Sequence, residues 1–385
     1  MAINFFVAYL CIGPLFWVLM LLGMFVGRSR MVRLMQWRGD LPHDLPHVTV
    51  LVPAKDEGPG IRRCIDAVLA LDYPRFNVVA VDDRSNDDTG RVLDDLAAAD
   101  PRVTVVHIPA GGLPEGWLGK CHALYVGARE ATGEWLLFVD SDVTLEPHAL
   151  RATLSICLKR DYQALSLLTR LECHGFLERL MLPVLGAIWA TMHVVSLTND
   201  DGRVAAAANG QFFLIRRDAY EAVDGHRGVK DQITEDVELM RALKAKEFRV
   251  RLYLGQHLAA TRMHSSLHQM FNGWARIFSG TPRRRPWKIL QSMCYTVTGV
   301  FSAYPALVYA MWIRDPDWMA AAVTHLGLMT LYLGLVYYWS GNRPRYALLA
   351  PVTAGLMLGI FGYSLRKCQT GRIVWRDTHF APQRR

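Results

Sequence analysis

The stretch Trp135-Leu-Leu-Phe-Val-Asp-Ser-Asp-Val143 decides how the fold of this chain is interpreted. Its short apolar run is typical of a buried β-strand, and the run ends in Asp140 and Asp142, which are separated by one residue. Both carboxylates are therefore expected at the mouth of a strand, where a divalent cation can sit between them and a diphosphate. The alternative is a pair of solvated turn acids, because short carboxylate patterns often occur without a function.

Two segments nearer the N-terminus repeat the pattern of an apolar strand followed by acids. The first is Val48-Thr-Val-Leu-Val-Pro-Ala-Lys-Asp-Glu57, after which a helical pattern starts at Gly58. The second is Asn77-Val-Val-Ala-Val-Asp-Asp-Arg-Ser-Asn-Asp-Asp-Thr89, whose Ser, Asn and Asp residues are candidates to cap the next helix. We expect two parallel strands that bring their acids to one edge of a sheet, and hence an α/β fold.

A fourth segment, Thr234-Glu-Asp236, opens a helical run about 100 residues beyond the aspartate pair. In this order, the four segments resemble the membrane-bound family 2 glycosyltransferases. The nucleotide-binding domain of that family has the GT-A fold, with an Asp at the second strand, an Asp-x-Asp metal motif and a Glu-Asp catalytic motif. The resemblance extends from about Val48 to about Gly280.

Three shorter segments are similar to the lipid-modifying branch of the family, which includes ceramide, hopanoid-associated and carotenoid glycosyltransferases. They are Gly119-Lys120, Asn209-Gly210-Gln211 and Arg216-Arg217-Asp218-Ala-Tyr220. This finer resemblance implies a lipid as the acceptor of the sugar.

The resemblance assigns the chemistry to two pairs of residues. It implies a metal, Mg or Mn, at Asp140 and Asp142, because these ions prefer oxygen ligands and would neutralise the departing diphosphate. It implies that Asp236 takes the proton of the acceptor hydroxyl, with Glu235 orienting its neighbours. The alternative for the second pair is an acidic first helical turn, which the helix dipole favours.

The nucleotide is expected in the loops that follow the first two strands. By resemblance, Asp82 or Asp83 would bind the uracil or the ribose, and the alternative for these acids is a set of turn and helix-start residues. The expected nucleotide-binding residues are Pro53, Asp56, Glu57, Asp82, Asp83, Lys120 and Asp140.

The chain departs from the polysaccharide synthases of this family at one motif. Those enzymes carry Gln-x-x-Arg-Trp, whereas the corresponding region here reads Gln269-Met-Phe-Asn-Gly-Trp274-Ala-Arg276. Arg276 would then meet the diphosphate and Trp274 the acceptor, with a core tryptophan and a surface arginine as the alternative. The departure favours the transfer of a single sugar over the synthesis of a polymer.

The composition predicts a membrane protein. The chain has 385 residues, of which 51% are hydrophobic and only 20% charged, and this is apolar for a soluble protein. Phe5 to Val26 contains 22 residues without a charge and can span a bilayer. Arg28, Arg30 and Arg33 follow and indicate the cytoplasmic side. A cleaved signal sequence is the alternative, but there the charge would precede the apolar run.

Three further apolar segments lie near the C-terminus, namely Ile289 to Ile313, Trp318 to Ser340 and Tyr346 to Tyr363. Four spans would put the basic tail on the side opposite the catalytic domain, which conflicts with the tendency of positive charge to stay in the cytoplasm. We therefore expect one segment to be interfacial or re-entrant. The predicted regions are a helix and basic flank (1–39), a cytoplasmic GT-A domain (40–285), a transmembrane cluster (286–365) and a basic tail (366–385).

A fifth apolar stretch, Leu180 to Leu197, lies inside the catalytic region. If it crossed the membrane, Asp140 and Asp236 would lie in different compartments and could not share a substrate. We expect a helix that lies against the membrane or lines an acceptor groove, and a buried core helix is the alternative.

Charge and cysteine content exclude other classes of function. The net charge is +8, but the basic residues cluster near the apolar segments, as at Arg283, Arg284 and Arg285. This distribution favours anionic lipid headgroups over nucleic acid as the partner. The seven cysteines form no close pairs, which indicates neither a zinc ribbon nor a disulfide framework and suits a reducing cytoplasm.

These patterns and the resemblance together predict an inverting glycosyltransferase of the cell inner (plasma) membrane. It would move one sugar from a nucleotide sugar, with UDP-sugar as the expected donor, to the hydroxyl of a membrane lipid. A short-chain or processive polysaccharide synthase is one alternative. A non-catalytic membrane assembly protein that retains the fold is the other.

Overall fold

The computed structural model describes residues 2–31, 44–193, 195–263, 266–280, 286–370, 373–375 and 378–380. The α-helices are α1 Ala2–Ile12, α2 Pro14–Arg30, α3 Gly58–Leu69, α4 Thr89–Ala99, α5 Gly119–Glu130, α6 Ala149–Arg160, α7 Phe176–Met192, α8 Arg217–Ala222, α9 Glu235–Ala245, α10 Leu267–Gly280, α11 Pro286–Thr296, α12 Ala303–Ile313, α13 Pro316–Trp339 and α14 Ala350–Thr370. The strands are β1 Val48–Ala54, β2 Phe76–Asp83, β3 Val103–Ile108, β4 Trp135–Phe138, β5 Val143–Leu145, β6 Ala164–Leu168, β7 Arg170–Leu171, β8 Phe213–Arg216, β9 Val250–Leu254, β10 Ala259–Thr261, β11 Ile373–Trp375 and β12 Thr378–Phe380.

A seven-stranded sheet with the order β3-β2-β1-β4-β8-β6-β9 forms the centre of the globular part. β1 pairs in parallel with β2 on one side and with β4 on the other, and Val48 is opposite both Phe76 and Trp135. β8 runs antiparallel to β4 and β6. The predicted α/β fold is confirmed, and the acid-bearing carboxyl ends of β1, β2 and β4 lie at one edge of the sheet.

Helices cover both faces of this sheet, which explains the continuous apolar sequence of its central strands. Every residue of β1 is buried, as expected of a parallel strand enclosed on both sides. Ile61 and Ile65 of α3 belong to the same core as Val50, and Leu124 of α5 packs on the opposite face beside Leu51. The helical pattern predicted after Gly58 is therefore confirmed.

The loops that follow β1 and β2 hold each other in place. The Asp56 amide donates to Ser85 Oγ at 3.0 Å, Asp56 Oδ1 accepts from the Asn86 amide at 2.7 Å, and the Glu57 amide donates to Thr89 Oγ1 at 2.8 Å. Asp56 has a φ of 52°, and Arg84 in the neighbouring loop has a φ of 59°. This left-handed conformation costs about 1–3 kcal/mol for a residue other than glycine, so the cross-loop hydrogen bonds must maintain it.

Four helical segments are long and apolar enough to cross a membrane, namely Phe5–Arg30, Pro286–Ile313, Pro316–Trp339 and Pro344–Cys368. These are the four segments predicted from the sequence. The first is interrupted at Gly13 between α1 and α2, and the second by a π-helical turn at Val297–Phe301. Arg33, Arg283 to Arg285 and, in the predicted basic tail, Arg372, Arg376, Arg384 and Arg385 lie outside the described residues.

A buried polar network links the two interrupted helices to α13. Tyr9 Oη lies 3.0 Å from His325 Nδ1, and His325 Nε2 lies 2.8 Å from the carbonyl oxygen of Gly299. Trp17 Nε1 donates to the same carbonyl at 2.7 Å. A π-helical turn displaces carbonyls from regular helical bonding, and side chains of neighbouring helices satisfy this one. The network fixes the position of α2 relative to α13.

The apolar stretch Leu180 to Leu197 forms most of α7 and a short 3₁₀ turn, Val195–Leu197. With 17 residues, α7 is at the lower limit for a membrane span, and it is not among the four helices long and apolar enough to cross a membrane. Its first half is buried against the long apolar helices, where Tyr337 Oη donates to the Leu180 carbonyl at 2.7 Å. Its second half is only partly buried and lines a cavity. The first half thus matches the buried core helix, and the second half matches the helix that lines a groove.

Candidate active site

A single, partly buried ammonium joins the two acidic motifs. Lys120, in the first turn of α5, places Nζ 2.7 Å from Asp140 Oδ1 and 2.8 Å from Glu235 Oε1. Burial lowers the pKa of Lys120, but Asp140, Glu235 and Asp236 outweigh burial and hold that pKa well above its usual value. The end of β4 and the start of α9, nearly 100 residues apart in sequence, therefore meet around one permanent positive charge.

Asp236 is held by two backbone amides. Its Oδ2 accepts from the Gly210 amide at 2.7 Å and its Oδ1 from the Val237 amide at 2.8 Å. Burial and the neighbouring Glu235 raise the pKa of Asp236 to about 7. A carboxylate with a pKa near the working pH is suited to act as a general base.

Gly210 lies close to all three charged groups. A Cβ at this position would be 3.2 Å from Lys120 Nζ and 3.5 Å from both Asp236 Oδ2 and Glu235 Oε1. The preceding Asn209 donates from Nδ2 to Gln211 Oε1 at 3.0 Å, which orders the loop. The absence of a side chain at Gly210 lets this loop approach the carboxylates closely enough for its amide to bind Asp236.

Asp142 has the properties of a cation ligand. Its Oδ1 is buried and has no hydrogen-bond donor in the described part of the chain. Burial, followed by the charges of Asp140 and Glu57, raises the pKa of Asp142 to about 7, although Lys120 and Thr261 oppose this shift. A divalent cation that prefers oxygen ligands would satisfy the unpaired oxygen and relieve the repulsion between the acids.

Substrate phosphates and water could supply the remaining ligands of such a metal. Among the described residues, no group of three or more His, Cys, Asp or Glu side chains is arranged to hold a metal ion. Mg²⁺ is usually bound by one or two carboxylates together with substrate phosphates and water. Asp140 and Asp142 fit that arrangement.

Asp82 and Asp83 occupy different environments. Asp83 is bound by Arg84, with Nε 2.7 Å from Oδ1 and Nη2 2.9 Å from Oδ2, and it lines a large polar cavity. Asp82 is turned toward β3, where its Oδ2 lies 3.0 Å from His107 Nδ1, and its Oδ1 accepts from the Ser85 amide at 3.2 Å. Asp82 does not line that cavity.

Two cavities meet at the Lys120 cluster. The polar cavity, with a volume of about 1060 Å³, lies over the carboxyl ends of β1, β2 and β4 and is closed by α10 and the end of α14. The apolar cavity, of about 800 Å³, runs between α2, α7 and α13. Both are lined by Lys120, Asp140, Gln211, Glu235 and Arg276.

Asp236 distinguishes the two cavities, because it lines the apolar cavity and not the polar one. The other predicted residues, apart from Asp82, line one of these cavities or both. Trp274 lines the apolar cavity. The polar cavity is lined by Pro53, Asp56, Glu57, Asp83, Lys120, Asp140, Asp142, Gln269 and Arg276.

Two interpretations were open for Trp274 and Arg276, either residues of the site or a core tryptophan and a surface arginine, and the structure has features of both. Trp274 is a core residue, 3% exposed, with its ring 5.5 Å from that of Phe278, and its indole N–H is buried without an acceptor among the described residues. Arg276 is partly buried and lines both cavities, so it is not a surface arginine.

Some lining residues were not assigned from the sequence. Gln211 was noted only as a marker of the lipid-modifying branch, and Arg84 could have been found from its position directly after Asp83. Tyr363 and Lys367 of α14 also line the polar cavity. Their sequence signal is that of a membrane-helix end, which gives no indication of a site.

Comparison with known proteins agrees with this arrangement. Residues 46–277, more than half of the chain, match the family described as "Glycosyltransferase like family 2". The 4,4'-diaponeurosporenoate glycosyltransferase of Staphylococcus aureus (strain USA300), which acts on a carotenoid, is 26% identical over 295 residues that cover 75% of this chain and 76% of the relative. The protein of strain MRSA252 is 27% identical over 300 residues, with the same coverage.

The mannosyltransferase PcManGT from Pyrobaculum calidifontis, solved in complex with GDP-Man and Mn²⁺, has a similar fold. Its TM-score is 0.50 at 18% identity, and the match covers 98% of this chain and 99% of that one. The predicted resemblance to GT-A glycosyltransferases and to the lipid-modifying branch is confirmed. The chain therefore belongs to glycosyltransferase-like family 2, and it is a glycosyltransferase with a GT-A fold.

Proposed function

We propose that this enzyme transfers one sugar from a UDP-sugar in the polar cavity to the hydroxyl of a membrane lipid in the apolar cavity. The observation that carries this proposal is the meeting of the two cavities at Lys120, Asp140 and Glu235. A donor and an acceptor that enter from different sides can react only at such a junction. The lipid acceptor is also supported by the carotenoid substrate of the staphylococcal relative.

The chemistry is a single displacement that inverts the anomeric carbon. The acceptor oxygen forms a bond to that carbon as its bond to the diphosphate breaks, and the hydroxyl proton passes to Asp236. Each Asp236 oxygen accepts one backbone hydrogen bond and retains a second lone pair. Lys120 and Arg276 line the junction, where their positive charges would stabilise the leaving diphosphate.

A divalent metal, Mg or Mn, would be held by Asp140 and Asp142 and would neutralise charge that develops on the leaving diphosphate. The unpaired Oδ1 of Asp142 supports its presence. Asp83, oriented by Arg84, is the residue of its pair that would bind the nucleoside, because it lines the polar cavity and Asp82 does not.

The acceptor would be an elongated apolar molecule. The residues of α2 that line the apolar cavity run from Leu19 to Arg30, a length of about 16 Å at the helical rise. The facing side chains include Trp189 of α7 and Tyr332 of α13. Such a surface does not suit a hydrated polysaccharide, which argues against the synthase alternative.

The membrane topology would contain three crossings with the catalytic domain in the cytoplasm. At the catalytic side, Arg28 lies 4.2 Å from the ring of Trp339, and Asn342 Nδ2 lies 3.9 Å from Cys173 Sγ. At the other end, the ring of Trp318 lies 5.3 Å from that of Tyr9. We infer that α1–α2 and α13 each connect the two sides, and that α11–α12 is the third crossing, since the ring of Tyr309 on α12 also lies 5.1 Å from that of Trp318.

The segment from Pro344 to Thr370 would be re-entrant. A Cβ on Gly334 would lie 3.9 Å from Pro344 Cβ, so the 3₁₀ helix Pro344–Leu349 runs back beside α13. α14 then contacts the π-helical turn Val297–Phe301 and ends with Lys367 at the polar cavity. The basic tail would emerge beside the catalytic domain, which removes the conflict with the positive-inside tendency and supports a plasma membrane enzyme that contacts anionic lipids.

A second acceptor class is a lipid carboxylate. The name of the staphylococcal relative denotes a carboxylic acid, and Arg28, Arg30 and Arg170 line the apolar cavity. A carboxylate is already ionised at neutral pH and needs no general base. The variants of Asp236 described below distinguish the two acceptors, and mass spectrometry of the products from a total lipid extract would identify the sugar and its linkage.

Asp83→Asn should weaken the binding of UDP by about tenfold to a hundredfold, the value of a charge-assisted hydrogen bond. Asp82→Asn is the matched control and should leave UDP affinity unchanged, since Asp82 bonds His107 instead of lining the cavity. Isothermal titration of both variants with UDP measures the difference. If Asp82→Asn weakened UDP binding and Asp83→Asn did not, nucleoside binding would be assigned to Asp82.

Asp236→Asn should lower turnover by about 10²- to 10⁴-fold, the usual contribution of a general base, and leave UDP affinity unchanged. Because the pKa of Asp236 is about 7 and the base acts in its ionised form, wild-type turnover should fall as the pH drops below about 7. The variant should lose this limb of the profile. Normal turnover of the variant would contradict the assignment of a general base or indicate a carboxylate acceptor. Loss of UDP affinity would instead make Asp236 a ligand of the donor.

Gly23→Leu should reduce transfer to lipid by about tenfold or more, because it fills part of the apolar cavity, and should leave UDP affinity intact. A Cβ on Gly23 meets no atom within 4 Å, so the helix itself accepts the change. Gly327→Leu is the matched control on α13, with the same open space but outside the cavity. Equal activity of the two variants would exclude this cavity as the acceptor site.

A further inference from the structure

The last membrane helix contributes side chains to the polar cavity. Lys367 and Tyr363, one turn apart on α14, line this cavity together with Asp140, Asp142 and Arg276. We propose that Lys367 binds the diphosphate of the sugar donor, so that the re-entrant helix supplies part of the donor site. This inference rests on the proposed function.

α14 is packed firmly enough to position a ligand. The Phe361 ring lies 5.2 Å from that of Phe278 on α10, and a Cβ on Gly359 would lie 3.2 Å from the Phe271 ring. Cys368 Sγ lies 3.9 Å from the Ser279 carbonyl oxygen. Since α10 also carries Arg276, the two helices present their basic groups as one rigid unit.

Tyr363 directs the Lys367 side chain. Lys367 Nζ lies 4.6 Å from the centroid of the Tyr363 ring, a distance at which the ammonium is attracted to the ring face. The lysine is partly buried and the tyrosine 39% exposed. The contact holds the ammonium at the cavity wall instead of leaving it free to extend into solvent.

The charges of the polar cavity favour an anion at this place. Three other basic residues of its lining already form ion pairs with carboxylates, Lys120 with Asp140 and Glu235, Arg84 with Asp83, and Arg63 with Glu172.

Lys367 differs from these residues. Within the described ranges, Lys367 forms no ion pair with a carboxylate, and the charged group that acts on it is Arg276. Two cations side by side at a cavity wall repel each other, and a bound phosphate would relieve that repulsion.

A lysine at the end of an apolar helix can also bind the phosphate of a lipid headgroup, which offers the same oxygen ligands. The position of Lys367 favours the donor, because it lines the cavity that contains Asp140 and Asp142. Its neighbour Arg366 is exposed and lines neither cavity. Arg366 therefore provides a matched control with the same distance from the membrane.

The test compares full-length wild type with Lys367→Gln, Lys367→Arg and Arg366→Gln, each titrated in detergent with Mn²⁺ and either UDP or UMP. Lys367→Gln should weaken UDP binding by about tenfold to a hundredfold and change UMP binding much less. Lys367→Arg should restore most of the UDP affinity, and Arg366→Gln should match wild type. Flotation with phosphatidylglycerol vesicles measures binding to headgroups in parallel.

Three results would overturn the proposal. Unchanged UDP affinity with reduced flotation would make Lys367 a headgroup ligand, and unchanged values in both assays would exclude a phosphate ligand of either kind. Equal losses for UDP and UMP, with a lower melting temperature, would indicate a purely structural role. Failure of the proposed function would be recognised by a different result, because wild type itself would then bind no nucleoside diphosphate.

Discussion

The contact of the Lys120 ammonium with Asp140 and Glu235 is the interaction on which the rest of the site depends. It brings the Asp-x-Asp loop and the start of α9 together, and it compensates a group of acids that could not otherwise be buried side by side. Removal of one partner from a buried ion pair typically costs about 3–5 kcal/mol. Burial and the neighbouring Glu235 raise the pKa of Asp236 to about 7, and the Lys120 contact lies where the two cavities join. The contact that compensates the charges of these acids therefore also lies where a donor and an acceptor could meet.

The long apolar helices are part of this site. The polar network of Tyr9, His325 and Gly299 fixes α2 against α13, and these two helices form walls of the apolar cavity. α14 returns toward the catalytic domain and closes the polar cavity. A sugar donor from the cytoplasm and an acceptor from the bilayer would therefore approach the carboxylates from opposite sides, with little water between them. Such separation would limit hydrolysis of the donor.

Much of the fold could be predicted because its signals are local. Apolar runs that end in acids gave β1, β2 and β4, and long uncharged segments gave the four apolar helices. The sequence alone did not show that Asp82 and Asp83 lie in different environments, although the alternation of side chains across a strand explains this difference. The path proposed for α14 was equally hidden, since a re-entrant segment and a span have the same composition. Trp274 proved to be both a core residue and a cavity wall, a combination that depends on tertiary packing.

A cryo-electron microscopy map of the full-length Asp236→Asn variant with UDP, Mn²⁺ and native lipid tests the junction of the two cavities most directly. Diphosphate density beside Asp142 and Arg276, and a continuous apolar ligand along α2 that ends at residue 236, would agree with a donor and an acceptor meeting at Lys120. A nucleotide bound away from the polar cavity, or a lipid whose polar end lies away from residue 236, would contradict it.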